Sequence, residues 1–245
     1  MTKFFDYKIY SGTISEIINE IVTIISNNKK AIINPINAFI FTLGLKNPEL
    51  KTSLLNSDFI PADGQSIIWA LKFLHKTKQK RLAGIDLMYL LFEIAYKNNY
   101  KIFLLGSTDN TLIKISNSLP TKYKNLVVGM ENGFFDEEQQ NNIIEKINLL
   151  NPQILFLGLN SPKKEILAYK FKPILNCNII LSVGGSFEIL AGNKNRAPKI
   201  FQKLGFEWFY RLIQEPRRLF KRYLFSNLKF IYVIILEKYK QLINT

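Results

Sequence analysis

Cysteine and histidine each occur once in the 245-residue chain, as Cys177 and His75. A lone cysteine excludes an intramolecular disulfide, and one cysteine with one histidine cannot complete a four-ligand zinc site of the Cys/His type. A Ser-His-Asp triad would have to use His75, which stands in the polar run HKTKQKR behind an apolar segment and reads as a solvated helix end. The chain also lacks a P-loop, an H-E-x-x-H pair, a G-x-G-x-x-G turn and a D-x-D pair. The last absence bears most on chemistry. Nucleotide-sugar transferases with D-x-D hold a divalent ion on the diphosphate, so a diphosphate handled here would need arginines, lysines and helix N-termini instead. Long apolar runs are missing as well. The N-terminal MTKFFDYKIYSGTISEIINE has no run of secretory length, and FIYVIIL near the end falls far short of the roughly 20 residues that span a bilayer. These absences lead us to expect a soluble or peripheral protein of a reducing compartment, with no metal and no cofactor.

What is present is a large apolar fraction and an excess of positive charge. The 47% hydrophobic content is ample for a sizeable core, and the formal charge is +14. From Arg196 onward, eleven Lys and Arg face only Glu207, Glu215 and Glu237, which leaves +8 on the last fifth of the chain. The implied partner is a polyanion or an anionic surface, the alternative being an ordinary solvated face.

Short apolar runs alternate with segments of helical period. AIINPI (31–36), KIFLLG (101–106), NLVVGM (125–130), QILFLGL (153–159) and NIILSVGG (178–185) predict buried strands. Residues 13–26, 84–99, 136–150 and 161–171 predict helices. The expected fold is therefore α/β: a Rossmann-like, mostly parallel sheet covered by helices over residues 1–195. Beyond it, residues 196–245 read as a basic, aromatic helical appendage, broken at Pro216, which suits the first turn of a new helix. Gly106, Gly158 and the pair Gly184-Gly185 end strands, where ligands of open α/β sheets usually sit.

Several cations are placed to meet an anion. Arg81 precedes a helix start at AGIDL, and NSPKKEI offers Ser161 as N-cap, Pro162 at the first helical position, and Lys163, Lys164 and Glu165 in the first turn. A helix dipole repels cations at that end, so capping alone leaves the two lysines unexplained. Arg196 lies in the connector GNKNRAP, and Arg211, Arg218 and Arg222 recur at four- and seven-residue steps that can share a helical face. One acid stands out among them. In DFIPADGQSIIWALKF, Asp63 ends an extended segment just before a helix, as a turn residue or as an acid placed in a site.

The segments IPADG, RLAGIDL, FLLGS, LGLNSPKKE, VGGSFEILAGNKNRAP and EWFYRLIQEPRRLFKRY stand in the order and spacing of the WecG/TagA/CpsF glycosyltransferases. The chain resembles that family from about Asn37 to Tyr223. The resemblance implies metal-independent, inverting transfer of a sugar from a UDP-sugar to a polyprenyl-diphosphate-linked acceptor in bacterial surface polysaccharide synthesis. It implies that Asp63 is the catalytic base and Arg81 a site arginine. Glu188 stands where the family usually has Asp in the donor nucleotide site. Arg211, Arg218 and Arg222 resemble arginines that engage the lipid diphosphate. The other residues expected on the donor side are Asn37, Gly106, Lys164, Glu165, Gly184, Gly185 and Arg196. Two positions depart from the pattern: Pro35 replaces a usual threonine, and Lys164 replaces a glutamine, which points to a more anionic donor or acceptor. The implied location is cytoplasmic, peripheral on the inner face of the membrane, with self-association as a further expectation and no nucleic-acid partner. Two rival readings are a basic α/β RNA-binding module and a non-catalytic membrane adaptor.

Overall fold

In the computed structural model, which describes residues 1–243, a short antiparallel hairpin of β1 (Thr2–Phe4) and β2 (Tyr7–Ile9) precedes the main body. There follow α1 (Ile14–Ser26), β3 (Ala31–Ile33), α2 (Ala38–Gly44), α3 (Pro48–Leu55), α4 (Gln65–His75), α5 (Gly84–Asn98) and β4 (Ile102–Gly106). Next come α6 (Asp109–Ser118), α7 (Thr121–Lys124), β5 (Val127–Glu131), α8 (Glu137–Leu150), β6 (Ile154–Gly158), α9 (Lys163–Phe171), β7 (Ile179–Ser182) and α10 (Ser186–Leu190). The chain ends in α11 (Lys199–Leu204), α12 (Glu207–Gln214) and α13 (Pro216–Ile243). All five expected sheet strands are present. They form one parallel sheet in the order β3-β7-β6-β4-β5. The fold is thus the expected α/β sheet covered by helices.

Both sheet faces are buried, which is why its strands are apolar at nearly every position. Ile33, Leu104, Phe156 and Leu181 pack one face against α1, α5 and α6. Ile32, Phe103, Leu155 and Ile180 pack the other against α8 and α9. The covering helices are set by local chemistry. A capping box of Thr13 and Glu16 opens α1, which buries Ile17, Ile21 and Ile25 at helical spacing; Asp136 and Gln139 open α8 in the same way.

A third cluster joins the two ends of the chain. Phe4 and Tyr7 of the hairpin, Phe41 of α2, Leu50 of α3 and Leu71 of α4 surround Phe230 and Ile234 of α13. The described part of the segment beyond Arg196 is helical throughout, with Pro216 opening α13 as the sequence predicts, and α13 packs chiefly on α2. It therefore shares a core with the N-terminal residues. No helix among the described residues is long and apolar enough to cross a membrane.

After β4 the chain moves outward to β5, then returns past β4 to β6 and β7. Connections that leave β4 and β6 in opposite directions open a crevice beyond their carboxyl ends. Gly106 and Gly158 face each other there in register. Gly106 has φ +141°, and a Cβ on it would lie 2.5 Å from the Gly158 carbonyl carbon. Gly106→Ala should therefore cost about 2 kcal/mol or more of folding stability, read from urea unfolding, because both strain and backbone overlap oppose it.

Candidate active site

Asp63 owes its position to main-chain bonds rather than to a regular strand. Residues 59–63 run beside the continuation of β3 through bridges of Ile33 with Phe59 and Ile36 with Ala62, and the Asp63 N–H donates to the Ile36 carbonyl at 2.9 Å. Gly64 caps α4 without a side-chain bond. The Asp63 carboxylate instead turns away from its own turn, and Oδ1 accepts from the N–H of Gly84, the first residue of α5, at 3.2 Å. This is its one hydrogen bond among the described residues. Burial raises the Asp63 pKa above the ordinary carboxylate range, with Arg211 and Arg81 opposing and Glu207 adding to the rise.

Asp63 lies where two cavities meet. The first, of about 600 Å³, runs between α4 and α13 and is lined mainly by Phe39, Trp69, Phe73, Trp208, Phe230, Ile231, Ile234 and Ile235. The second, of about 130 Å³, lies beyond β7 and is polar. Its cations are Lys164, Lys194, Arg211, Arg218 and Arg222, against Asp63 and Glu215. Asn37, Asp63, Arg211, Arg222 and Tyr223 line both cavities and so form the wall between them. Tyr223 is steadied by the Trp208 ring, edge to face at 6.1 Å.

The charges of this wall are unevenly neutralised. Glu207 binds Arg81 at 2.7 Å and Arg211 at 3.1 Å, and Glu215 binds Arg218 and Lys194. Arg222 makes no ion pair among the described residues. Its guanidinium lies over the Phe39 ring at 3.6 Å, its Nε is buried without a partner, and burial lowers its pKa. The buried hydroxyl of Ser182, which also lines the polar cavity, likewise has no partner. Buried donors without acceptors are costly, and at a cavity wall they are groups that an incoming oxygen would satisfy.

Of the residues singled out in the sequence, Asn37, Asp63, Arg81, Lys164, Gly184, Gly185, Arg211, Arg218 and Arg222 line one or both cavities. Gly106, Glu165, Glu188 and Arg196 do not. Gly106 packs on Gly158 at the strand ends, and Glu165 is buried behind Lys164. Glu188 accepts from Ser107 at 2.7 Å, Thr111 at 3.2 Å and Asn193 at 3.0 Å, and Arg196 pairs with Asp86 at 2.6 Å.

The local reading of Ser161 and Pro162 needs correction. Pro162 occupies the cap position of α9, which begins at Lys163, and no side chain caps the helix. The Ser161 hydroxyl donates to Glu165 at 2.8 Å and accepts from Lys164 at 2.7 Å, so its oxygen meets a charged ammonium, a stronger donor than a helix N–H. The two lysines at the positive end of α9 are thereby explained. Lys163 donates to the Gly133 carbonyl and lies over the Phe135 ring, and Lys164 pairs with Glu165. Phe39, Ser182, Lys194, Glu207 and Tyr223 had no signal in the sequence as site residues. Glu207 counted there only as one of three acids in a basic segment.

The model of the glycosyl transferase WecG/TagA/CpsF family matches residues 2–244, nearly the whole chain. That match includes every element that walls the two cavities, from β3 to α13, and the chain belongs to the WecG/TagA/CpsF family of glycosyltransferases.

Proposed function

We propose that this chain transfers a sugar from a UDP-sugar to a polyprenyl-diphosphate-linked acceptor, by a single inverting displacement in bacterial surface polysaccharide synthesis. The observation that carries this reading is the place of Asp63, among the described residues the one acid shared by a polar, cation-lined cavity and an apolar one. The cations that line the polar cavity suit diphosphate groups, and the apolar cleft suits the isoprenoid end of a lipid-linked acceptor. Asp63 takes the proton from the acceptor hydroxyl as that oxygen attacks the anomeric carbon and the bond to UDP breaks on the opposite face. Negative charge grows on the leaving diphosphate, and guanidiniums held at the wall are ready to receive it. Arg222, which lines both cavities and makes no ion pair among the described residues, is the strongest anchor for the acceptor's diphosphate, since an anion there supplies both the missing counter-charge and the missing acceptor.

The charge of Lys164 has a different weight than the sequence implied. Its ammonium is already held by Glu165 and Ser161. We therefore assign it to shaping the donor cavity rather than to drawing in a more anionic sugar.

The membrane side follows from α13. Leu219, Ser226, Phe230 and Ile234 face inward, while Phe220, Leu224, Phe225, Leu228, Ile231, Tyr232 and Ile235 stay exposed among Arg217, Lys221 and Lys240. Apolar and basic groups on one open surface suit an anionic leaflet, where each nearby cation contributes about 1 kcal/mol.

The deciding experiment is UDP release with a panel of UDP-sugars and a short-chain polyprenyl-diphosphate-linked acceptor; no release with any donor would reject the reading. In that assay Asp63→Asn should lower turnover at least about a hundredfold while UDP still binds. The wild-type profile should lose activity as pH falls through a midpoint above the ordinary carboxylate range, since the base works only when deprotonated. Replacing Arg218 and Arg222 together by alanine should raise the acceptor KM about tenfold or more with little change in the donor KM; equal effects on both would remove these residues from the acceptor side. Binding to vesicles containing phosphatidylglycerol should weaken as salt rises from about 0.05 to 0.5 M, and salt-independent binding would leave charge out of the docking.

A further inference from the structure

The site holds a carboxylate to which the transfer mechanism gives no part. Glu207, the first residue of α12, is 6% exposed and divides its two oxygens between two arginines. Oε2 accepts from Arg81 of the loop before α5 at 2.7 Å, and Oε1 accepts from Arg211, one turn further along α12, at 3.1 Å. Burial works against the Glu207 charge, but Arg211 and Arg81 more than offset it and hold the carboxyl below its usual range. Each of these guanidiniums also acts electrostatically on Asp63, yet neither forms an ion pair with it. The geometry explains why. Glu207 is the acceptor that both arginines already have.

Resting on the transferase reading above, we propose that Glu207 is a positioning residue: it holds Arg81 and Arg211 beside Asp63 but off it, so that the Asp63 carboxylate stays free for the acceptor hydroxyl. The local charges balance with Glu207 present, two guanidiniums against two carboxylates. Without it, Asp63 is the acid on which both cations already act. They would close on it, occupy its oxygens and make it a poorer base. The same carboxylate seats α12 on the α/β body, so loss of stability alone would not separate this role from simple attachment.

Among the described residues, the charged and titratable groups that bear on Asp63 are Arg81 from the loop before α5, Glu207 and Arg211 from α12, and Tyr223 from α13, and Arg222 of α13 lines both cavities with it. Arg196 from the connector also acts on Glu207. A test must therefore read Asp63 itself. In full-length protein carrying ¹³C-labelled aspartate carboxyls, with the Asp63 signal identified by Asp63→Asn, the Asp63 midpoint should fall by about one pH unit or more in Glu207→Gln. In Glu207→Asp, which keeps the charge, it should remain near wild type. Turnover in Glu207→Asp should fall through kcat, with the donor KM held, because the shorter side chain misplaces the guanidiniums. An unmoved Asp63 midpoint in Glu207→Gln would overturn the proposal. So would a defect of Glu207→Asp confined to thermal stability or to KM, and this second arm stands even if the glutamine variant does not fold. The titration needs no substrate, so failure of the transferase reading would show as absent UDP release with the Asp63 shift intact.

Discussion

The site depends on a narrow stripe of contacts along one side of α13. Phe230 and Ile234 are buried among Phe4, Phe41 and Leu71, and full burial of one such side chain is worth about 1.5–3 kcal/mol. These contacts stand about two to three turns beyond Arg222 and Tyr223 on the same helix, so the stripe fixes where those two side chains meet Asp63. The hairpin of β1 and β2 and helices α2 and α4 are the other half of this arrangement. Residues at the two ends of the chain thus build one wall, and the α/β sheet alone would leave Asp63 facing an open crevice.

Electrostatics at the wall follow from which cations have partners. Glu207 serves Arg81 and Arg211, Glu215 serves Arg218 and Lys194, and Glu165 serves Lys164. What remains is Arg222, held by its ring contact with Phe39 and surrounded by too little water to favour its charge. A site with every cation paired would gain little from a diphosphate. Under the proposed reading, one guanidinium without an ion pair among the described residues gives a diphosphate a defined point at which it relieves an existing penalty.

Much of this was legible in the residues. The five sheet strands are apolar at nearly every position because helices cover both faces, and continuous runs such as QILFLGL carry that signal directly. Pro216 marked the start of α13 because proline tolerates only the first turn. Asp63 stood out because an acid before a helix start is a local pattern, which left a turn role and a site role both open; the bond its carboxylate makes is not local, since the N–H it meets is Gly84, twenty-one residues on. What could not be read has two causes, patterns too weak or short to register and contacts too distant in the chain. Helix α3 has a weak apolar pattern, and each strand of the hairpin has only three residues, too few for a period to register. Glu207 meets Arg81 across 126 residues, so nothing near it in the chain distinguishes it from Glu215 or Glu237. Ser161 was misread for the opposite reason. Its local pattern was a good N-cap, and the buried pair of Lys164 and Glu165 outcompeted the helix amides for its hydroxyl.

The exposed side of α13 also bears on how the substrates are found. The helix has 28 residues, about 42 Å at 1.5 Å per residue, and its outward apolar side chains extend from Phe220 to Ile243. Under the proposed reading that length lies along a leaflet, with Asp63 held at a fixed depth relative to the lipid headgroups. The search for the acceptor is then lateral, over a surface instead of through a volume, and encounter is governed by the mobility and surface density of the lipid. The nucleotide sugar still arrives from water. One reactant would be met in two dimensions and the other in three, so the same enzyme could be saturated in its soluble substrate while remaining limited by how many lipid carriers its patch of membrane contains.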